Sequence, residues 1–175
     1  WRQLSYIPQT PQIFSKSLAM NISPHRPLEP GALWAALEKA DLLTDVNLFP
    51  EGLATMVGEK GMNLSGGQKQ RTLIARSFHS GARLYIWDDA ISALDPATER
   101  RIIEALRKID PGAILVLATH RLSSLKNFDR ILVLEEGRIA AQGSFEDIKQ
   151  NHALFASLLK NEKDQLAMKE ASWTH

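Results

Sequence analysis

Leu84-Tyr85-Ile86-Trp87 runs without interruption into two acids, Asp88-Asp89. A compact apolar stretch of this length, closed by charge, reads as a buried strand, because it is too short for a core helix. Similar runs recur at Leu4 to Pro8, Ile114 to Ala118 and Ile131 to Leu134, each bounded by turn signals. Between them lie stretches with helical spacing. Pro30 to Leu43 repeats apolar residues at Leu33, Trp34, Leu37, Ala40 and Leu43. Ser65 to His79 opens on a serine with Gln68 three residues later, the pattern of a capping box. Asp95-Pro96 starts another helix, with proline at its favoured first position and a stripe of Ile102, Ile103, Leu106 and Ile109. Buried strands alternating with helices imply an α/β fold around a parallel sheet.

The connectors are equally legible. Thr10 to Pro30 holds four of the eight prolines and reads as an irregular connector. Glu51 to Gly67 carries five glycines and reads as loop. Glu136-Gly137 turns the run from Ile131 back into Arg138 to Ala141. Ser144 and Asp147 repeat the capping pattern before a helical stretch to about Leu159, and the polar tail after Asn161 is expected to fray. No internal repeat or low-complexity segment interrupts this order.

Composition excludes several classes. With 44% hydrophobic and 23% charged residues, the 175-residue chain is an ordinary globular domain. A formal charge of +1 gives no footprint for nucleic acid. The absence of cysteine removes disulfides, thiolate metal sites and cysteine nucleophiles. No apolar run approaches the ~20 residues of a membrane-spanning helix, and Trp1-Arg2-Gln3-Leu4 has no secretory-signal pattern. The missing initial methionine suggests a piece of something longer.

Two motifs carry chemistry. In Leu64-Ser65-Gly66-Gly67-Gln68, two glycines follow a capping serine and let the backbone approach a ligand closely. The helix behind them presents unpaired amides and a positive dipole end, which suits an anion such as phosphate. At Asp88-Asp89, two carboxylates stand at the C-terminal end of a strand, where α/β proteins bind ligands. One could hold Mg²⁺ through water, and the next could orient or activate a nucleophilic water.

Together these residues resemble the nucleotide-binding domain of ABC transporters. Leu64 to Gln68 looks like that family's signature motif, Leu84 to Asp88 its Walker B strand, and Ser92-Ala93-Leu94-Asp95 its D-loop. His120 looks like the switch histidine, and Gln9, after Tyr6-Ile7-Pro8, the Q-loop glutamine. Thr55 to Gly61 resembles the exporter-type X-loop, with Glu59 the matching acid. The resemblance covers about residues 1 to 145. It implies a partial P-loop NTPase fold: a parallel sheet core plus an α-helical signature subdomain, without the front β subdomain or the P-loop strand. Residues 10–80 would be the helical subdomain, 81–160 the remaining catalytic core and 161–175 a polar tail.

The resemblance also implies a mechanism. Two such domains would dimerise head to tail around two ATP molecules. Ser65, Gly66, Gly67 and Gln68 would contact the partner's ATP, Asp88 and Gln9 would hold Mg²⁺, and Asp89, His120 and Gln9 would serve hydrolysis. Asp95 would communicate across the dimer, and Glu59 would face the transmembrane domain. The intact protein would sit at the cytoplasmic face of the plasma (bacterial inner) membrane, and the present chain alone would be soluble.

Two departures qualify that picture. No Walker A pattern, G-x-x-x-x-G-K-[ST], occurs in the chain, and no glycine is followed by lysine. The P-loop supplies backbone amides and a lysine to the phosphates. Without it the chain alone is expected to be inactive, to expose apolar surface and to be prone to self-association. Secondly, Asp89 stands where the family carries glutamate, which suggests a catalytically weak site, as in one subunit of heterodimeric exporters. Two other readings fit parts of the pattern: a soluble ABC-type ATPase of DNA repair or translation, which the X-loop disfavours, and a non-enzymatic regulatory subunit, which would start near Trp1.

Overall fold

The computed structural model describes residues 3–25, 29–59, 62–109 and 112–172. They form two compact units, Trp1–Thr119 and His120–His175. The first unit is built on a parallel sheet of β1 (Leu4–Ile7), β4 (Leu84–Asp88) and β5 (Ile114–Ala118), with β4 in the centre. Leu4 pairs with Leu84, which pairs with Ile114 on the other side, and the register continues to Ile7 with Trp87 and Asp88 with Ala118. The parallel α/β sheet expected from the apolar runs is therefore present, and all three strands end at one edge.

Alternation within the strands decides which face is covered. Ser5, Ile7, Tyr85 and Trp87 are buried, whereas Tyr6, Ile114 and Val116 are more than half exposed. The covered face packs on α4 (Gly66–His79) through Leu73, Ile74, Phe78 and Trp87, members of one core cluster. Trp87 meets Phe78 edge-on, with ring centroids 5.8 Å apart. Its indole N–H donates to Ser77 Oγ at 3.0 Å, and Ser77 shares a second hydrogen bond with Ser5 Oγ at 2.7 Å. A large aromatic is thus buried without an orphaned donor.

The connectors hold more structure than their composition suggests. The stretch Thr10 to Pro30, expected to be irregular, contains β2 (Lys16–Ser17) and α1 (Leu18–Ile22). Ser17 caps α1 by accepting from Met20 N, and Leu18 and Ile22 are buried in the main cluster. The glycine-rich stretch Glu51 to Gly67, expected to be loop, includes a 3-10 turn at Gly52–Ala54 and β3 (Met56–Val57), antiparallel to β2. The helix expected over Pro30 to Leu43 is split into α2 (Pro30–Lys39) and α3 (Leu43–Leu48). Asp41 breaks it at φ +55°, a left-handed conformation that aspartate tolerates better than most residues.

α5 (Pro96–Ile109) begins where Asp95-Pro96 predicts. Asp95 Oδ1 accepts from the backbone N–H groups of Ala97 and Thr98, each at 3.0 Å. In the second unit, β6 (Ile131–Glu135) and β7 (Arg138–Gly143) form an antiparallel hairpin with a register shift between Val133 and Leu134. Ser144 and Asp147 cap α6 (Phe145–Asn151) reciprocally. In place of a frayed tail, α7 (Ala153–Ser172) continues well past Asn161. Ile148, Phe155 and Leu159 pack with Ile131 in a separate small core.

Asn21 is fully buried and serves as a local scaffold. Its Oδ1 accepts from Phe14 N at 2.8 Å, while Nδ2 donates to Phe14 O at 3.0 Å and Ser17 O at 3.1 Å. Asn21→Ala would strand these backbone groups and should lower the unfolding free energy by about 3 kcal/mol. Urea denaturation checks this; a loss under about 1 kcal/mol would mean that water replaces the amide. A second expectation concerns acid. Hydrogen bonds from Thr98, side chain first and then backbone, hold the Asp95 carboxyl below its ordinary range. Such a group stabilises the fold fully above its unfolded value of about 3.9, and the contribution is lost as pH falls through the lower folded value. Asp95→Asn keeps a capping side chain but removes the titration. Wild type should therefore lose stability relative to D95N as pH drops below about 4; parallel acid-unfolding curves would refute this.

Candidate functional site

The glycine pair sits at the start of α4, and local chemistry fixes it there. Ser65 Oγ accepts from Gln68 N at 3.2 Å, and Gln68 Oε1 accepts in return from Ser65 N at 2.9 Å. This is the capping box that the sequence announces. First-turn amides have no acceptor within their own helix, so the N–H groups of Gly66 and Gly67 remain at the helix's positive end. Ser65 and Gly66 are exposed, and Gly67 and Gln68 are half-buried. The arrangement can receive an oxyanion at Ser65, Gly66 and Gly67. Gln68 is occupied differently: its Nε2 donates to Asp45 Oδ1 at 2.8 Å, so both ends of its amide serve the fold.

That contact begins a chain of polar partners which the sequence reading missed. Asp45 also pairs with Arg71 at 3.1 Å. Arg71 donates to the carbonyl of Asp41 at 2.8 Å. Asp41 in turn accepts from Arg101 at 2.7 Å and Thr98 Oγ1 at 3.2 Å, on α5. The start of α4 is thereby tied to α3 and α5. Nothing in local spacing reveals these pairs, because the partners come together only in the fold.

Asp88 and Asp89 stand at the C-terminal end of β4, both half-buried. Asp89 has φ +52°, and its N–H donates to Ala118 O at 2.8 Å. One Asp89 carboxylate oxygen is shielded from solvent. Gln9 is exposed and lies two residues beyond β1, so it leaves the sheet at the same edge as Asp88. The Ser92 to Asp95 loop lies against α4. A Cβ at Gly67 would meet Ala93 O at 3.3 Å, and one at Gly66 would meet Ala93 Cβ at 3.6 Å. The contact at Gly66 is an ordinary one, whereas at Gly67 an added carbon would crowd a backbone oxygen, so glycine permits the close approach there. His120 opens the second unit and is exposed. In that unit, Glu162 on α7 accepts from both Ser123 N and Ser123 Oγ at 2.9 Å, holding the 3-10 turn Leu122–Asn127 that follows.

The segment around Glu59 is built into the same unit as the glycine pair. Gly58 has φ +93°, and a Cβ there would lie 3.1 Å from Phe14 O and from Ser15 Cα. Only glycine fits that turn. Glu59 is exposed; Lys60 and Gly61 lie outside the described residues. Pro11, Ile13, Gly58, Glu59, Leu64 and Lys69 line a depression of about 300 Å³. Arg76 reaches from α4 to the Asn21 carbonyl at 2.6 Å and lies over the Phe14 ring at 5.1 Å. Burial pushes its guanidinium below the usual arginine range.

Among the described residues, no group of three or more His, Asp or Glu side chains gathers to hold a metal. A Mg²⁺ ion that accompanies nucleotide uses one or two protein oxygens beside water and phosphate oxygens. Asp88 at the strand end, with Gln9 leaving the same edge, is a donor set of that kind.

Residues 1–92 match the profile described as "ABC transporter". The chain is 39% identical over 161 residues to an "ATP-dependent lipid A-core flippase" of Cupriavidus metallidurans, covering 90% of this chain and 27% of that protein. A flippase of the same description from Burkholderia orbicola is 38% identical over 165 residues, covering 94% and 28%. Among solved structures, a "bacterial Atm1-family ABC exporter with ATP bound" superposes with a TM-score of 0.86 at 34% identity, covering 93% of this chain and 29% of that one. The chain thus spans little more than a quarter of the curated relatives cited. With the fold of an ABC ATPase and its motifs in order, this chain belongs to the ABC transporter family.

Proposed function

We propose that the chain forms part of the ATP-hydrolysing engine of an ABC exporter, whose nucleotide cycle drives transport through a transmembrane domain. The observation that carries this reading is the first turn of α4. There a capped helix offers the Gly66 and Gly67 amides and the Ser65 hydroxyl to an oxyanion, in the same compact unit as the Asp88-Asp89 strand end. The exporter descriptions of the relatives support it.

In this reading each residue has one task. Ser65, Gly66 and Gly67 bind the γ-phosphate of an ATP held by a second cassette, using fixed dipoles where negative charge develops. Gln68 keeps that turn in shape through Ser65 and Asp45. Asp88 and Gln9 hold Mg²⁺, which neutralises phosphate charge when bound. Asp89 orients the attacking water, with His120 at the γ-phosphate. Asp95 faces the second cassette and so couples the two sites. Glu59 and the depression beside it face the transmembrane domain. Nucleotide binding and release then shift the pair of cassettes between two global states.

Asp89 limits the rate in this scheme. Its side chain is one methylene shorter than glutamate, and a misplacement of about 1 Å can cost about 10²-fold. Its φ of +52° explains why aspartate is tolerated: the left-handed region is accessible to Asp but costs most residues about 1–2 kcal/mol. Asp89→Glu in the intact transporter should therefore raise ATP turnover about tenfold or more, while lowering stability by about 1 kcal/mol. Unchanged turnover with the expected stability loss would remove Asp89 from catalysis. A calorimetric titration with Mg-ATP tests the wider reading. The intact transporter should bind, and the 175-residue chain, which has no Walker A pattern, should not. Tight binding by the short chain alone would require a different phosphate site.

A further inference from the structure

Gln70 is a polar side chain at the N-terminal end of the buried face of α4, only 5% exposed. A buried primary amide must be satisfied at both ends. Here all of its partners lie on the segment from Asp89 to Ala93. Oε1 accepts from Ala93 N at 2.8 Å. Nε2 donates to Ser92 Oγ at 2.8 Å and to the Asp89 carbonyl at 3.4 Å. Ser92 Oγ donates onward to that same carbonyl at 3.0 Å, which closes a ring. Ala93 N can only donate, so the orientation of the amide is dictated by its surroundings.

The ring has two mechanical effects. It fixes the carbonyl of Asp89, and with it the peptide plane that sets where the Asp89 side chain leaves the strand. Asp89 sits at φ +52°, a conformation that persists where surrounding bonds over-determine it. The ring also clamps Ala93 from its nitrogen side, while Gly67 closes on the Ala93 carbonyl from the other. The first turn of α4 and the end of β4 are thus joined through one amide and one close contact.

We propose that Gln70 is a positioning residue: it sets the carboxylate end of β4 and the Ser92-Ala93 loop against the phosphate-facing turn of α4, so that both halves of the chemistry are delivered together. This rests on the ATPase reading above. Gln70 itself contacts neither nucleotide nor water in this scheme, so its removal should alter rate and leave nucleotide affinity nearly intact.

The test uses the intact transporter and its steady-state ATP turnover. Gln70→Met, close in size and apolar, should lower kcat about tenfold to 10²-fold and change KM for ATP by less than about threefold. Ser92→Ala should lower kcat by a smaller factor. Because both act through one ring, the double variant should be no slower than Q70M alone. Unchanged kcat in Q70M overturns the inference. So does a fall in kcat that matches a loss of folded protein, or independent, multiplying effects of the two substitutions. If Q70M does not fold, S92A decides alone: reduced kcat with unaltered KM and Tm supports the ring, and unaltered kcat overturns it. Wild-type turnover in the same assay separates the two levels. Its absence overturns the ATPase reading and this inference with it; its presence beside an unaffected Q70M overturns only the latter.

Discussion

The contact between α4 and the central strand is the interaction on which the first unit depends. Trp87, fully buried, lies against Phe78 and gives its indole proton to Ser77. Burying an aromatic of this size contributes about 2–3 kcal/mol or more, and the hydrogen bond fixes how the helix is rotated. Once that rotation is set, each polar side chain of α4 is aimed. Gln68 points to α3, Gln70 to the loop after β4, Arg71 to the α2–α3 turn, and Arg76 to the segment after β1. A single helix, oriented by one tryptophan, ties the glycine pair at its start to the loop after β4 and to α3.

Legibility in the sequence followed the range of the interactions. Strands β1, β4, β5 and β6 stood out because unbroken apolar runs are local signals. The starts of α4, α5 and α6 stood out because a cap and its partner lie three residues apart. The split between α2 and α3 was not legible, since apolar spacing continues through Asp41 and only the backbone there departs. β2 and β3 were hidden because two-residue strands carry no periodicity. Their pairing depends on Gly58 closing on Phe14 and Ser15 from a distant part of the chain.

The same division applies to the site. The residues proposed to face a phosphate lie in contiguous motifs, which are legible as pattern. Those that hold the motifs in place, Asn21, Asp41, Asp45, Gln70 and Arg76, are not, because their partners are remote in sequence. One signal was available for Gln70. It shares a helical stripe with Leu73, Ile74 and Ser77, and a glutamine in a stripe that is otherwise apolar or small must have a buried partner. The length of α7 is not legible for a related reason: its outer half is polar, and a polar terminal stretch reads as a fraying tail.

Arg76 and Asn21 together bind the segment from Gln12 to Ser17 to α4. That segment is a loop by shape, yet mechanically it belongs to the helix. The amide proton of Phe14, bonded to a fully buried side chain, should exchange with solvent as slowly as one in a regular element. Freedom around Gln9 is then confined to Pro8 through Pro11, and two of these four residues have φ locked by their rings. Gln9 is therefore presented on a short tether, held by β1 on one side and by the anchored Gln12–Ser17 segment on the other.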